Sequence, residues 1–192
     1  MQTDDLCKLV DKIKHLQCEM QTVELKAANK GCPTRLYDTL SSFANQDEGG
    51  IIVFGIDESK GFAVVGVYDA QDLQKKVTEQ CTQMSPCVRA LFTVCEIDDK
   101  VVVSAEIPGI DVSERPCFYR GTGRLKGAYI RVGDADEPMS EYEIYSYDAF
   151  RKRIRDDIRE ATGARRSFFD EEKLAGFLQS VEKRDAFVRW VI

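Results

Sequence analysis

Residues 41–57 read SSFANQDEGGIIVFGID, and this stretch decides the fold. Phe43 and Ala44 continue an apolar face begun by Leu36 and Leu40, which is helical spacing. Asn45 ends that run, and Asp47, Glu48, Gly49 and Gly50 supply a turn. Glycine takes the positive φ that closing a helix demands. Ile51, Ile52, Val53, Phe54 and Ile56 follow as an apolar run, the pattern of a strand covered on both faces. Asn45, Gly49, Gly50 and Gly55 are read as structural. Asp57 stands at the carboxyl end of the strand, where open α/β sheets gather their chemistry.

Working outward, Asp4 to about Gln21 has the stripe of an amphipathic helix, and Val23–Ala27 alternates as a short strand with Glu24 and Lys26 on one side. Pro33 is placed to open the second helix. Phe62–Val67 reads as a hairpin partner of the central strand. Asp69 is set to cap a helix reaching Met84. Ala90–Ile97 and Val101–Ile107 form a hairpin about Asp98 and Asp99. After an exposed connection, Gly121, Gly123 and Gly127 punctuate a hairpin ending in the strand AYIRV, and Gly133–Pro138 is a turn. Ser140 and Glu143 form a capping box for a helix to about Glu160. These elements specify an α/β (α+β, two-layer) domain: a mixed sheet with a buried central strand and helices packed on it. The expected division is residues 1–160 for this domain and 161–192 for a linker and the start of a helical segment that continues further.

The 192 residues are 43% hydrophobic and 31% charged, with a formal net charge of −6. That balance gives no global basic field for a polyanion, so such binding needs a local patch. Seven cysteines are scattered without a C-x-x-C pair, and His15 is the single histidine. Histidine-dependent triads and zinc knuckles are excluded on that count, and the cysteines read as free thiols of a cytoplasmic protein. No P-loop motif occurs, and the glycines precede a strand instead of following one, the wrong polarity for a dinucleotide cradle.

Two constellations carry chemistry. Glu19, Glu24 and Lys26 are spaced E-x-x-x-x-E-x-K, with Asp57 distant in sequence. Three converging carboxylates hold Mg²⁺ or Mn²⁺, hard ions that prefer oxygen, and Lys26 would neutralise charge developing on a phosphate. The bland alternative is a surface Glu24–Lys26 pair with Glu19 solvated. The second constellation is basic. Arg115, Arg120, Arg124, Lys126 and Arg131 are interleaved with Phe118, Tyr119 and Tyr129 on a glycine-rich segment without an acid. Cations beside aromatic rings suit a phosphate backbone with stacked, unpaired bases. Further on, Arg151, Lys152, Arg153, Arg155, Arg159, Arg165 and Arg166 alternate with acids and read as a solvated helix.

The run FANxxxGG followed by an apolar strand ending in GID resembles the signature of the Schlafen AlbA-like domain family. RPCFYR and GAYIRVGD resemble that family's later segments, and the likeness extends from about Glu19 to Glu143. It implies the amino-terminal, DNA- or RNA-binding module of a bacterial transcriptional regulator, RecG-helicase-related, with Arg115, Tyr119, Arg120, Arg124, Lys126 and Arg131 as the contact residues. Glu19, Glu24 and Asp57 also match the carboxylate trio of Schlafen proteins that cleave transfer RNA, which implies a metal-dependent endoribonuclease as the alternative. A third reading is an assembly module, since related proteins dimerise and the arm Val101–Ile107 would offer an edge.

Overall fold

A computed structural model describes residues 1–152 and 170–191. The chain divides into two units, Met1–Ile154 and Arg155–Ile192. The boundary expected at residue 160 lies outside the described residues, as do Arg153, Arg155, Arg159, Arg165 and Arg166. In the second unit the described element is helix α6, Glu171–Val191.

The first unit is built on a four-stranded mixed sheet. Its strands are β1 (Val23–Lys26), β2 (Gly50–Phe54), β6 (Leu91–Ile97) and β7 (Lys100–Ile107), in the order β1-β2-β7-β6. Strand β2 pairs parallel with β1, Glu24 opposite Ile52, and antiparallel with β7, Val53 opposite Ser104. It is central, as its sequence requires, and Ile52, Val53 and Phe54 are fully buried.

Alternate residues of the strands feed two cores. Ile52, Phe54, Val103, Ala105 and Ile107 pack on helices α2 (Tyr37–Ala44) and α3 (Ala70–Thr82). Val23, Leu25, Val53 and Val102 meet helix α1 (Thr3–Leu16) through Leu6, Val10 and Ile13. Burying a side chain of this size contributes about 1.5–3 kcal/mol. The layer expected on one face is therefore α2 with α3, while α1 covers the other.

Local chemistry moves several boundaries. Helix α1 stops at Leu16 because Gln17 turns left-handed at φ 53° and donates its N–H to the Ile13 carbonyl. Glu19 consequently lies in a loop and not on a helix end. Helix α2 begins at Tyr37, not Pro33: the Gln80 side chain accepts from Leu36 N–H at 2.9 Å and donates to the Pro33 carbonyl at 2.8 Å, replacing a cap from within the loop. Asp69 and the Ser140–Glu143 box do cap α3 and helix α5 (Glu141–Lys152), respectively. Asp98 and Asp99 both take positive φ, which suits a tight β6–β7 turn.

Three expectations are corrected. The arm Val101–Ile107 offers no edge, because β7 is paired on both sides, by β2 and β6. The glycine-rich hairpin at 118–132 is instead a short strand β8 (Phe118–Tyr119), a single helical turn α4 (Arg124–Gly127) and strand β9 (Tyr129–Val132). The expected turn after it contains strand β10 (Ala135–Pro138), which pairs with β9, Asp136 opposite Arg131. Two small ladders complete the unit: β3 (Ile56–Asp57) pairs with β4 (Ala63–Val64), and β5 (Met84–Ser85) with β8.

Candidate functional site

The end of α2 is where the distant segments are joined. Asn45 is buried, and its side-chain oxygen accepts from Cys117 N–H at 2.7 Å while its nitrogen donates to the carbonyls of Cys117 and Tyr129 at 3.0 Å each. Ser41 donates to the same Cys117 carbonyl and accepts from Tyr129 N–H. One polar residue thus holds the start of β9 and the approach to β8 against α2. Gly49 and Gly50 let the chain reverse tightly: a Cβ on Gly50 would lie 2.3 Å from the Phe43 ring, and one on Gly49, at φ +70°, 2.1 Å from the Ile107 carbonyl oxygen. Gly55 also takes a positive φ and packs beside the Val101 carbonyl.

The acidic constellation is a closed corner. Glu24 Oε1 accepts from Lys26 at 2.5 Å, and its Oε2 faces Arg131 Nη1 at 2.9 Å. Arg131 also pairs with Asp136 at 2.9 Å, and Thr39 and Ser42 of α2 donate to that same carboxylate. The Arg131 side chain is 1% exposed, its guanidinium lies 5.2 Å from the Phe43 ring centre, and its Nη2 has no hydrogen-bond partner among the described residues. Burial works against its charge, but Asp136 and Glu24 outweigh it and hold its pKa above the ordinary arginine value. Glu19 accepts from Leu25 N–H at 2.9 Å, satisfying a donor on the outer edge of β1. Burial pushes its carboxyl up against the pull of that amide, and Glu24 and Glu58 add to the rise. Asp57 turns instead to Ser59 and Lys60, which hold its carboxyl below the ordinary value.

These residues do not fit Mg²⁺ or Mn²⁺. Both oxygens of Glu24 and both of Asp57 are engaged by protein donors, those of Asp57 within its own turn. Among the described residues no three His, Cys, Asp or Glu side chains are gathered to hold a metal ion. The structure brings Glu19, Glu24 and Lys26 together, while the Asp57 carboxylate is held by Ser59 and Lys60. Burial pushes the thiols of Cys81, Cys95 and Cys117 up to about 12, which removes them as nucleophiles at neutral pH.

The basic constellation is distributed. Arg115 is buried, bonding Asp47 at 2.7 Å and the Ile110 carbonyl. Arg120 donates to the carbonyls of Thr82 and Gln83. Arg124 grips Asp148 of α5 with two bonds of 2.7 Å, and Arg151 meets the same carboxylate. Lys126 is different: it is exposed, and its ammonium has no ion pair among the described residues.

Lys126 lines a cavity of about 270 Å³ together with Thr34, Arg35, Tyr37, Asp38, Tyr119, Thr122 and Tyr129. Tyr37 and Tyr119 stack there at 3.8 Å between ring centres, 15° from parallel. Arg35 pairs with Asp38 at 2.9 Å and donates to the Tyr129 hydroxyl at 3.4 Å. Burial raises the phenol pKa of both Tyr37 and Tyr129. Tyr119 and Lys126 thus line the same cavity. Thr34, Arg35, Tyr37 and Asp38 were not legible as site residues, because only the fold carries the β1–α2 loop and the start of α2 to β8 and α4.

The model of the family described as Schlafen, AlbA_2 matches residues 19–140. The solution NMR structure of the N-terminal domain of an ATP-dependent DNA helicase RecG-related protein from Nitrosomonas europaea is similar at 26% identity and a TM-score of 0.52, covering 69% of this chain and 92% of that one. The crystal structure of the DIP2311 protein from Corynebacterium diphtheriae is 16% identical with a TM-score of 0.49, covering 76% of this chain and 28% of that one. No curated protein matches.

Proposed function

The chain belongs to the Schlafen AlbA_2 family, and from that premise we propose that its first unit is the nucleic-acid-binding module of a cytoplasmic DNA-binding regulator. The phosphate contacts come from the β8–α4 segment, with Lys126 the principal cation and Arg35 its neighbour across the cavity. Arg120 and Arg124 lie within that segment, while Arg115 and Arg131 serve as its internal supports. The observation that carries this reading is an exposed ammonium with no ion pair among the described residues, beside a stacked tyrosine pair in one concavity. A cation for the backbone next to rings for the bases is the combination that binds nucleic acid without a large positive field. The name of the Nitrosomonas europaea neighbour, a DNA helicase-related protein, supports the same class of ligand.

Fluorescence anisotropy with labelled DNA and RNA oligonucleotides over a salt series tests the reading. Binding is expected at low salt and weakens steeply as salt rises. Lys126→Glu is expected to lower affinity about tenfold and to reduce the salt slope by about 1. Failure of both DNA and RNA to bind at low salt, or unchanged affinity in Lys126→Glu, overturns it.

A further inference from the structure

We propose that the cavity between α2, β8, α4 and β9 is a subsite for one unpaired nucleotide whose base carries an exocyclic amino group. This rests on the nucleic-acid reading above and narrows it. The first argument is size and shape. At about 270 Å³ the cavity falls just below the range of about 300–1,000 Å³ that encloses a drug-sized ligand. It holds a single base and part of its backbone. A base within a duplex is stacked on its neighbours and shows only its edges, so occupancy requires a base that is already free.

The second argument is the arrangement of groups. Tyr37 and Tyr119 cover one face of each other, which fixes both rings as a wall, and both are half-buried. Tyr119 is further held by Gly121, where a Cβ would lie 2.4 Å from the phenol Cζ. A third ring extends this stack at little ordering cost, because the wall is already rigid. On one side stand Lys126 and Thr122, a cation and a hydroxyl for a phosphate. On the other, Asp38 is aimed by Arg35 and lies beside the Tyr129 hydroxyl, its side chain 31% exposed. Arg35 already answers the Asp38 carboxylate, whereas Lys126 has no ion pair among the described residues, so the nucleotide enters with its backbone toward Lys126 and its base toward the Arg35–Asp38 pair.

The third argument is what Asp38 selects. A carboxylate accepts only, so it favours a base that presents an N–H₂ group. Cytosine carries one at N4, whereas the one ring donor thymine offers, N3–H, is flanked by two carbonyl oxygens that a carboxylate repels, so cytosine is favoured over thymine. The two pyrimidines match in size and differ in this group, which makes them the appropriate probes.

The experiment measures anisotropy of labelled oligo-dC, oligo-dT and a blunt mixed-sequence duplex, each about 12 nucleotides long, within the span such sites cover. The expected result is that oligo-dC binds about tenfold more tightly than oligo-dT, the discrimination typical of one base contact, and that both exceed the duplex. Asp38→Asn, whose amide both donates and accepts, is expected to bring oligo-dC and oligo-dT within about threefold of each other. Thermal melts of the variant against the parent chain establish that the fold is intact. Equal affinity of the parent for the three probes, with Lys126→Glu still weakening all of them, overturns the subsite and leaves the nucleic-acid reading standing. Persistence of the dC preference in Asp38→Asn overturns the assignment of Asp38. No binding to any probe at low salt overturns both.

Discussion

The Glu24–Arg131 corner and the Tyr37–Tyr119 cavity are made of the same kinds of residue and do opposite things. In the corner every charge is answered: Arg131 faces Glu24 and Asp136, and Lys26 faces Glu24. Burial makes the corner a fastener between β1, α2 and the β9–β10 hairpin. In the cavity Lys126 is open to solvent with no ion pair among the described residues, beside rings already stacked. A cation that the fold leaves exposed and without an acid, as Lys126 is among the described residues, is free to meet a phosphate, whereas Arg131 is not. Counting arginines along the chain finds both regions and cannot rank them.

The sharpest way to break this contrast is to remove one cation from each side. Arg131→Ala removes the guanidinium that buried Glu24 and half-buried Asp136 share, leaving them Lys26, Thr39 and Ser42, and is expected to cost about 3 kcal/mol of stability. Lys126→Ala is expected to stay within about 0.5 kcal/mol while weakening nucleic-acid binding. Urea denaturation midpoints with unchanged slopes read both values. Comparable losses in the two variants would make the corner and the cavity equivalent, and the contrast would be wrong.

A smaller effect sharpens the boundary between the regions. Asn45 belongs to neither, yet it holds the chain on which both depend. Asn45→Ala leaves the buried Cys117 amide without its side-chain acceptor and is expected to cost about 2–3 kcal/mol. Binding should fall with it, because Tyr129 loses its tether. Stability and affinity are measured on the same preparation, and an unchanged affinity would show that the cavity stands without this anchor.

The smallest expected effect concerns acid. Arg124, beside the cavity, holds the Asp148 carboxyl below its ordinary value of 3.8, with Arg151 assisting. A carboxyl that titrates lower in the folded protein stabilises it fully above the ordinary value, and the contribution is lost as pH falls through the folded value. Hydrogen-exchange protection of α5 is therefore expected to drop below about pH 3.8 before that of α2 does. Asp148→Asn should abolish this difference in pH dependence. It should also free Arg124 for phosphate and raise affinity a few-fold.

Much of the scaffold was legible because its causes are local. The apolar run of β2, the Asp98–Asp99 turn, the Asp69 cap and the Ser140–Glu143 box each depend on residues within a few positions. The start of α2 was misread where a distant side chain, Gln80, replaced a local cap. The Val101–Ile107 arm was misread as an edge because periodicity reports burial and says nothing of which strands lie beside it.

By itself the sequence determined the family, the buried central strand and the α+β class, since hydrophobic period and turn chemistry act over a few residues. Only the tertiary structure decided which charges are available. Arg115 meets an acid 68 residues away and Arg124 one 24 residues away, while Lys126 meets none among the described residues. An ion pair depends on distances through space at the ångström scale, and the order of residues along a chain does not contain those distances until the chain has folded.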